Sequence, residues 1–445
     1  MSEEDPSADT AELQIGETVE TAIEKAVYRG RGLGRVGGRV VFVPRTYAGD
    51  RVKARVREVR TGWAEASLEG VLSPAPGRRD SPCEYVPECG GCAYQDLGYE
   101  AQLAAKESIL RESLARAGAP WEGEIPVQSS PETGWRLRAN LHFSEGKGGL
   151  RLGLKQEGTR RVVDIEHCLQ LSDGMNGVLR SLRAALAGRP GLSSRLRGIE
   201  VLESPDGEAR VVSLAVALGL DKAPLLAFVE HEVPGLDGFG LDAGRGRHLW
   251  LSGSPHVAVP VLGLRMRVHV RSFFQANRFL YEPLTQAVLD LLPGRGRALD
   301  LYAGVGLFAL PLAARDGGEV IAAERAPTAA SDARANARRN GLDGVRVIRS
   351  DVREALAATP RESGERIVLD PPRTGVERDI VDLVAARRPE AIVYVSCDPP
   401  TLGRDLARFA SLGFRPDTVR IFDLFPDTFH LETVVRLRPG ARARV

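Results

Sequence analysis

Hydrophobic and polar positions alternate in short runs over residues 13–73, for example in TVETAIEKAVY, RVVFVPRTY, DRVKARVREVR and EASLEGVLS. A glycine-rich break, GRGLGRVGG, and an Ala-Gly-Asp turn separate these runs. Alternation with a period of two predicts strands that bury one face. We therefore predict an OB-like antiparallel β-barrel of roughly five strands at residues 13–73.

The pattern changes twice along the rest of the chain. Residues 97–117 have the spacing of an amphipathic helix, and β-rich runs such as LRANLHFS and ARVVSLAVAL follow it. From residue 271, short apolar strands alternate with helices, which predicts a doubly wound, Rossmann-like α/β domain. The expected fold is multi-domain α/β. Its parts are a disordered acidic tail at 1–12, the barrel at 13–73, a central β-rich domain at 74–270 and the α/β domain at 271–445.

Charge and composition narrow the class of protein. The chain has 43% hydrophobic residues and 27% charged residues, and no apolar run of membrane-spanning length. Its amino terminus is acidic rather than signal-like, so we predict a cytoplasmic protein. Net charge is only +1, but the stretch from Lys25 to Arg60 holds eleven basic residues against two acidic ones. This stretch suits a phosphate-bearing partner, although a solvated Arg-rich face explains it nearly as well.

Acidic residues follow successive predicted strands of the α/β domain. Asp300 opens a loop that contains Gly304 and Gly306, Glu324 ends the next strand and Asp351 follows the one after. Glycines there let a ligand approach the backbone, and a carboxylate can accept hydrogen bonds from ribose hydroxyls. The acidic lining would repel a pyrophosphate. The pattern therefore favours S-adenosylmethionine over NAD.

Two further strand ends carry groups suited to catalysis. Asp370 follows an apolar strand and is fixed by a Pro-Pro turn, and Arg373 stands where an amino-group methylase would have an aromatic residue. Cys397 ends another buried strand, in the sequence SCDPP. An inert buried cysteine is the simpler interpretation of Cys397 by itself. Its position at a strand end beside the same cleft favours a reactive thiolate.

Glu432 enters an otherwise apolar strand near the carboxyl terminus, where it is either a paired structural residue or a general base. His430 could assist it or serve the structure. Carbon 5 of uracil takes a methyl group only after a nucleophile adds to carbon 6, and a base must then remove the carbon-5 proton. Cys397 as nucleophile, Glu432 as base and Asp370 as the group that reads the base edge fit this scheme.

The other four cysteines, Cys83, Cys89, Cys92 and Cys168, lie outside the α/β domain. Disulfides are unlikely to form in a cytoplasmic protein. Four thiolates could bind zinc or an iron–sulfur cluster, and their spacing does not decide between the two.

The motifs FFQANRF, DLYAGVGLF, LDPPRTG, SCDPPTLGRD and FPDTFHLETVV together resemble those of the RNA 5-methyluridine methyltransferases. The resemblance implies that Cys397 is the nucleophile and Glu432 the base. It also implies a set of residues that contact S-adenosylmethionine: Gln275, Tyr302, Glu324 and Asp370.

The resemblance extends to the other parts of the chain. The amino-terminal barrel resembles a TRAM domain, which implies RNA contacts through basic residues: Arg29, Arg31, Arg35, Lys53 and Arg55. The spacing of the four clustered cysteines is similar to that of the ribosomal members of the family, which implies a [4Fe-4S] cluster. Together these features imply 23S ribosomal RNA as the substrate. We further expect a monomer, which suits an enzyme that wraps a folded RNA, and no binding to DNA or a membrane.

Three alternatives remain open. The same chemistry could act on transfer RNA, or the chain could be a non-catalytic RNA-binding iron–sulfur protein. Cytosine-C5 methylation uses the same covalent logic, but those enzymes carry the nucleophile in a Pro-Cys dipeptide, and the catalytic domain has none.

Overall fold

The computed structural model describes residues 12–146, 149–187, 189, 191, 194–217, 232–244 and 248–440. The expected tail at 1–12 lies outside this part of the chain, apart from its last residue. The chain divides into two compact units. Unit 1 comprises Met1–Val86, Gly91–Glu112 and Pro426–His430, and unit 2 comprises Pro87–Gly90, Ser113–Phe425 and Leu431–Val445.

Unit 1 contains a closed barrel with strand order β1-β2-β3-β5-β4. Its strands are β1 (Thr18–Val27), β2 (Arg31–Val36), β3 (Arg39–Pro44), β4 (Arg51–Arg60) and β5 (Trp63–Ser73). The predicted five-stranded barrel is confirmed, but it is not wholly antiparallel, because β3 and β5 pair in parallel. The glycine-rich segment proves to be strand β2 rather than a break. A Cβ on Gly32 would lie 2.2 Å from Thr46 Oγ1, and one on Gly34 would lie 2.5 Å from Thr21 Oγ1. These glycines therefore allow close packing inside a strand.

The remainder of unit 1 is organised around a buried aspartate. Helix α1 (Tyr99–Arg116) occupies the predicted helical region. Gln102 on this helix and Gln95 before it donate side-chain hydrogen bonds of 3.0 and 2.9 Å to Asp427. The short segment Pro426–His430 is thereby held in unit 1, although the chain on either side of it belongs to unit 2.

Unit 2 contains a seven-stranded sheet with strand order β13-β12-β11-β10-β7-β8-β9. The elements of this part are β7 (Arg138–Gly146), β8 (Gly149–Lys155), β9 (Val162–Asp164), α2 (Asp173–Leu186), β10 (Leu196–Glu203), β11 (Arg210–Val216), β12 (Gly238–Asp242) and β13 (His248–Gly253). A separate hairpin, β14 (His256–Val261) with β15 (Leu264–His269), follows it.

The α/β part of unit 2 is built on an eight-stranded sheet with order β18-β17-β16-β19-β20-β22-β21-β6. Its strands are β6 (Val127–Gln128), β16 (Ala298–Asp300), β17 (Val320–Ala323), β18 (Val345–Ile348), β19 (Arg366–Leu369), β20 (Ala391–Ser396), β21 (Phe414–Phe422) and β22 (Glu432–Pro439). Its helices are α3 (Tyr281–Leu291), α4 (Ala309–Asp316), α5 (Pro327–Arg339), α6 (Val352–Ala357), α7 (Arg378–Ala386) and α8 (Pro399–Ser411).

This sheet confirms the predicted alternation of strands and helices. Strands β16 to β20 are parallel, so their carboxyl ends meet at one edge, whereas β22 runs antiparallel and presents its first residue there. Strand β6 was not predicted; it lies in the region expected to be the central domain, yet pairs with β21. No helix in the described part of the chain is both long and apolar enough to cross a membrane.

Candidate active site

The loop after β16 depends on its glycines. Gly304 and Gly306 have φ values of +53° and +95°, in the left-handed region that favours glycine. A Cβ on Gly306 would also lie 2.0 Å from Leu310 Cδ1. The loop therefore packs directly on the start of α4.

Glu324 orients this loop from the end of β17. Its Oε2 accepts a hydrogen bond of 2.9 Å from Gly304 N–H, and its Oε1 accepts one of 2.6 Å from Ala326 N–H. Asp351 caps α6, since its Oδ1 accepts a hydrogen bond of 2.9 Å from Glu354 N–H. Glu324 is half-buried and Asp351 exposed, and they follow the carboxyl ends of the neighbouring strands β17 and β18.

Asp300 has a different environment from the one expected. Its side chain is completely buried, and Oδ2 accepts a hydrogen bond of 3.0 Å from Ala309 N–H at the start of α4. Its Oδ1 has no hydrogen-bond partner among the described residues. Burial raises the pKa of Asp300 to about 7. Asp300 therefore stabilises the glycine loop through its hydrogen bond with Ala309 N–H, and its side chain does not line an open ligand site.

Gln275 and Asp370 bring two separate motifs together. Gln275, in the segment after β15, is buried, and its Nε2 donates to Asp370 Oδ2 over 3.4 Å. Tyr302, in the glycine loop, is half-buried, and burial raises its pKa to about 12. Gln275, Tyr302 and Asp370 belong to the residues that the family resemblance implies as contacts of S-adenosylmethionine, and all three lie in unit 2.

Cys397 and Glu432 occupy adjacent positions at the ends of β20 and β22. The antiparallel register pairs Ser396 with Thr433, so the next position along each strand is Cys397 and Glu432, respectively. Cys397 is half-buried and Glu432 is buried. A thiol and a carboxyl group separated by 34 residues of chain are thus brought to one edge of the sheet.

The site concentrates acidic groups away from water. Burial, and then repulsion from Asp300, raises the pKa of Asp370 to about 8. Burial and the charge of Asp370 raise the pKa of Glu432 well above its ordinary value. Burial, followed by the charges of Glu432 and Asp370, raises the pKa of Cys397 to about 12. The expected thiolate is therefore unfavourable without a bound cation, and Cys397 is a neutral thiol at pH 7.

Arg373 opposes this accumulation of negative charge. It lowers the pKa of both Cys397 and Glu432, which burial and the carboxylates raise. Its carbonyl oxygen accepts a hydrogen bond of 3.2 Å from Thr401 Oγ1. In the sequence, Arg373 served only as evidence against an amino-group methylase. Its effect on the pKa values of Cys397 and Glu432 emerges only from the structure.

Helix α8 clamps the loop that carries Asp370 and Arg373. Asp405, buried on this helix, accepts from Val376 N–H at 2.8 Å, and Arg404 donates to Thr374 O at 3.0 Å. Gly375 has a φ of +73°, and a Cβ there would lie 2.6 Å from Asp405 Oδ2. Sequence analysis missed this clamp, although both sides of it lie in the quoted motifs LDPPRTG and SCDPPTLGRD.

The predicted RNA-contacting residues of the barrel have acidic neighbours. Arg55 Nε lies 2.6 Å from Glu69, whereas Arg31 and Arg35 lie 3.5 Å from Glu65 and Glu24. These pairs are exposed or partly exposed, so they contribute little stability and can exchange for phosphate contacts. The His430 ring packs against Phe429 within unit 1, with 4.1 Å between ring centroids.

The expected metal centre is not found as a ready-made ligand set. Among the described residues, no three His, Cys, Asp or Glu side chains are grouped so that they could hold a metal ion. Cys83 and Cys92 belong to unit 1, and Cys89 and Cys168 belong to unit 2. The [4Fe-4S] cluster therefore stays a prediction.

Comparison with known proteins agrees with this architecture. Residues 256–439 match the family model described as tRNA (Uracil-5-)-methyltransferase, and residues 12–68 match the TRAM domain. A 23S rRNA (uracil(1939)-C(5))-methyltransferase RlmD of Pseudomonas putida is 34% identical, covering 97% of this chain and 96% of the relative. An uncharacterized RNA methyltransferase of Aquifex aeolicus is 33% identical, covering 93% of this chain and 97% of the relative.

A solved structure shares the fold of nearly the whole chain. The tRNA (uracil-54, C5)-methyltransferase of Pyrococcus abyssi superposes with a TM-score of 0.74 at 24% identity, covering 94% of this chain and 100% of the other. A TRAM barrel joined to this α/β fold defines an RNA-modifying methyltransferase. The chain belongs to the family of RNA uracil-C5 methyltransferases.

Proposed function

We propose that this enzyme methylates carbon 5 of a uridine in 23S ribosomal RNA, with Cys397 as covalent nucleophile, Glu432 as base and S-adenosylmethionine as methyl donor. The observation that carries the proposal is the register that sets Cys397 beside Glu432 at the sheet edge where Asp370 also lies. The names of several relatives that span nearly the whole chain support the RNA assignment.

The residues present fit an S-adenosylmethionine site. Gly304 and Gly306 expose the backbone, and two N–H groups hold the Glu324 carboxylate in a fixed orientation for ribose hydroxyls. S-adenosylmethionine supplies an electrophilic methyl group on a positively charged sulfur. A bound cation would lower these raised carboxyl pKa values and would be stabilised by the carboxylates that result, which suits a sulfonium better than an anionic ligand.

The chain's own residues then account for the covalent steps. The Cys397 thiolate adds to uracil carbon 6, which forms a C–S bond and moves the electron pair of the 5,6 double bond toward carbon 5. Carbon 5 would then take the methyl group as the bond between that methyl and the donor's sulfur breaks, with S-adenosylhomocysteine as the leaving group. Glu432 removes the carbon-5 proton, the double bond re-forms and the C–S bond breaks, so the thiolate leaves.

Bound positive charge activates this pair. The Cys397 thiol is neutral in the unliganded site, and burial raises the pKa of Glu432 well above its ordinary value. A cation a few ångströms away favours the charged form of both groups and so lowers both pKa values. Arg373 already acts in this direction, and the donor's sulfonium would add to it.

The mechanism is tested by two variants. With RNA and labelled S-adenosylmethionine, Cys397→Ala should transfer no methyl group and form no adduct. Glu432→Gln should accumulate a covalent RNA–protein band on a denaturing gel, because the methylated adduct cannot lose its proton. Glu319→Gln, which changes a carboxylate at the opposite edge of the sheet, is the matched control and should behave like wild type. Normal turnover in Cys397→Ala would refute the covalent scheme.

The RNA substrate is tested separately. Purified enzyme, given transcripts of 23S ribosomal RNA and of transfer RNA in parallel, should label the ribosomal transcript. Preferential labelling of transfer RNA would refute this assignment while leaving the uridine chemistry intact. We assign RNA backbone binding to the barrel at residues 13–73, so removal of positive charge there should weaken RNA binding and reduce its salt dependence.

We also propose that Cys83, Cys89, Cys92 and Cys168 hold a [4Fe-4S] cluster. The support is the presence of four thiols apart from the proposed nucleophile, together with the resemblance of their spacing. No step of methyl transfer uses the cluster. Anaerobically purified protein should contain about four iron atoms per chain, and Cys89→Ala should lose them whereas Cys397→Ala keeps them. Stoichiometric zinc in place of iron would overturn the proposal.

A further inference from the structure

One edge of the β14–β15 hairpin is covered by a helix instead of a strand. The hairpin forms a two-stranded sheet, and β15 is paired on one side with β14. On the other side, α5 presents Asp332 and Asn336, and its C-cap residue Asn340 continues the spacing of four residues. An uncovered strand edge leaves backbone N–H and C=O groups without partners. The polar side chains of α5 supply those partners.

The contacts form a ladder. Asn340 accepts from Arg265 N–H at 2.9 Å and donates to Arg265 O at 2.9 Å. Asn336 repeats the arrangement two strand residues further on, with 2.8 Å from Arg267 N–H and 3.0 Å to Arg267 O. Asp332 accepts from His269 N–H at 3.0 Å.

Helix and strand geometry explain why the ladder fits. Four helical residues advance about 6 Å, and two strand residues advance roughly 6.6 Å. Side chains four apart on α5 therefore reach alternate residues of β15. A carboxamide has both an acceptor and a donor, so Asn336 and Asn340 can each serve one strand residue as a paired strand would.

The ladder also reaches the two segments of the proposed cofactor site. Asn336 is completely buried, and its Nδ2 donates to Val305 O, between Gly304 and Gly306, over 3.2 Å. Asp332 accepts from Ser272 Oγ at 2.7 Å, three residues before Gln275. Asn340 makes its contacts with Arg265 and with its own helix.

We propose that Asn336 is a positioning residue for the methyl donor, because it ties the glycine loop and β15 to the same point of α5. This inference rests on the cofactor site assigned above. The side chain itself need not touch the ligand. It fixes Val305 O, and with it the backbone on either side, relative to the strand that leads to Gln275. Asn340 stabilises the same hairpin without this link.

The experiment compares Asn336→Ala with Asn340→Ala. Each substitution removes one rung of the ladder, but only the first frees the glycine loop. Affinity for S-adenosylhomocysteine is measured by titration calorimetry, and unfolding is followed by circular dichroism. We expect roughly tenfold weaker binding in Asn336→Ala and a change within about twofold in Asn340→Ala, since a buried carbonyl loses its partner only in the first.

The outcomes separate the two proposals. Wild-type protein that fails to bind S-adenosylhomocysteine would refute the cofactor assignment. Wild-type binding with equal losses in both variants, or with none in Asn336→Ala, would overturn the positioning role alone. If Asn336→Ala does not fold, Asn336→Ser is compared with Asn340→Ser. The shorter hydroxyl keeps a donor but cannot reach Arg267 and Val305 together, so the same difference in affinity is expected.

Discussion

Asp405 accepts hydrogen bonds from both Tyr394 O–H, at 2.7 Å, and Val376 N–H, at 2.8 Å. Tyr394 lies on β20, the strand that ends at Cys397, and Val376 closes the loop that carries Asp370 and Arg373. A single buried carboxylate on α8 therefore links the strand that precedes Cys397 to the loop that carries Asp370 and Arg373.

Substitution of Asp405 should impair catalysis more than cofactor binding. Asp405→Asn can keep one oxygen for both Tyr394 and Val376, which share Oδ2, but it replaces Oδ1 by an amide NH2 that cannot accept from Arg404. Arg404 also holds Thr374 O, so the loop loses its fixed position. We expect kcat to fall about tenfold or more, since one misplaced charged group can cost that much. Affinity for S-adenosylhomocysteine should change by less than about twofold.

Asp382→Asn is the matched control for this variant. Asp382, on α7, accepts hydrogen bonds of 2.7 and 2.8 Å from Arg408 of α8, and neither residue belongs to the loop that carries Asp370 and Arg373. Its kcat should equal that of wild type. A parallel fall of kcat in both variants would mean that α8, rather than the loop, accounts for the loss.

The pH dependence of the free energy of unfolding should reveal the raised pKa of Asp370. Its pKa is raised from 3.8 to about 8 in the folded protein, so between these values the folded state holds a proton that the unfolded chain releases. Stability is therefore lost as the pH rises through this range. Asp370→Asn should remove this loss of stability, because asparagine does not titrate. Its midpoint of thermal unfolding should match wild type near about pH 5 and exceed it by about 2–4 °C near about pH 8.5.

A melting difference that is equal at the two pH values would contradict this account of Asp370. Activity provides an independent check on the same variant. If Asp370 reads the uracil edge, the stabilised protein should have lost most of its methyl transfer, which is the usual conflict between stability and function at an active site.

Cys397 should react slowly with iodoacetamide in the unliganded enzyme. Its pKa of about 12 leaves little thiolate at pH 8, and alkylation requires the thiolate. We expect the rate, followed by mass spectrometry of the Cys397 peptide, to be at least about tenfold below that of a free cysteine peptide.

The charge of Asp370 contributes to that slow rate. Asp370→Asn should accelerate alkylation, because one of the repelling carboxylates is gone, whereas Arg373→Ala should slow it further. Asp382→Asn should leave the rate unchanged, because Asp382 is paired with Arg408 and is not among the charged groups that shift the Cys397 pKa. Faster alkylation than in the free peptide would show that the thiolate is already favoured before any ligand binds.

Gly306 should tolerate no side chain. Alanine there would adopt a φ of +95° and place its Cβ 2.0 Å from Leu310 Cδ1, so the loop or α4 must shift. We expect Gly306→Ala to reduce S-adenosylhomocysteine affinity about tenfold or more.

Gly317→Ala is the control for backbone strain alone. It has a φ of +64° at the end of α4, with nothing within 4 Å of the added Cβ. This variant should lose about 1 kcal/mol of stability and keep its affinity. Equal affinities of the two variants for S-adenosylhomocysteine would show that the glycine loop is not part of the cofactor site.

Local patterns were sufficient for much of the architecture. The period-two alternation specified the barrel strands, and the apolar strands from β16 to β20 followed from runs that can be buried on both faces. Glycine was the exception. Gly32 and Gly34 suggested a break in the sequence pattern. In β2 they are needed because Thr46 and Thr21, from other parts of the barrel, leave no room for a Cβ. No local pattern contains that contact.

The sequence by itself determined the chemical groups: an isolated cysteine in SCDPP, a glutamate in an apolar strand, and acidic residues at strand ends. Tertiary structure decided what surrounds them. Antiparallel β22 brings Glu432 beside Cys397. Burial and nearby negative charge raise the pKa of Cys397 and keep it a thiol. Asp300 is buried beneath the glycine loop. Pairing between distant strands, and the loss of water around a charge, depend on which segments meet in space. A one-dimensional pattern contains neither.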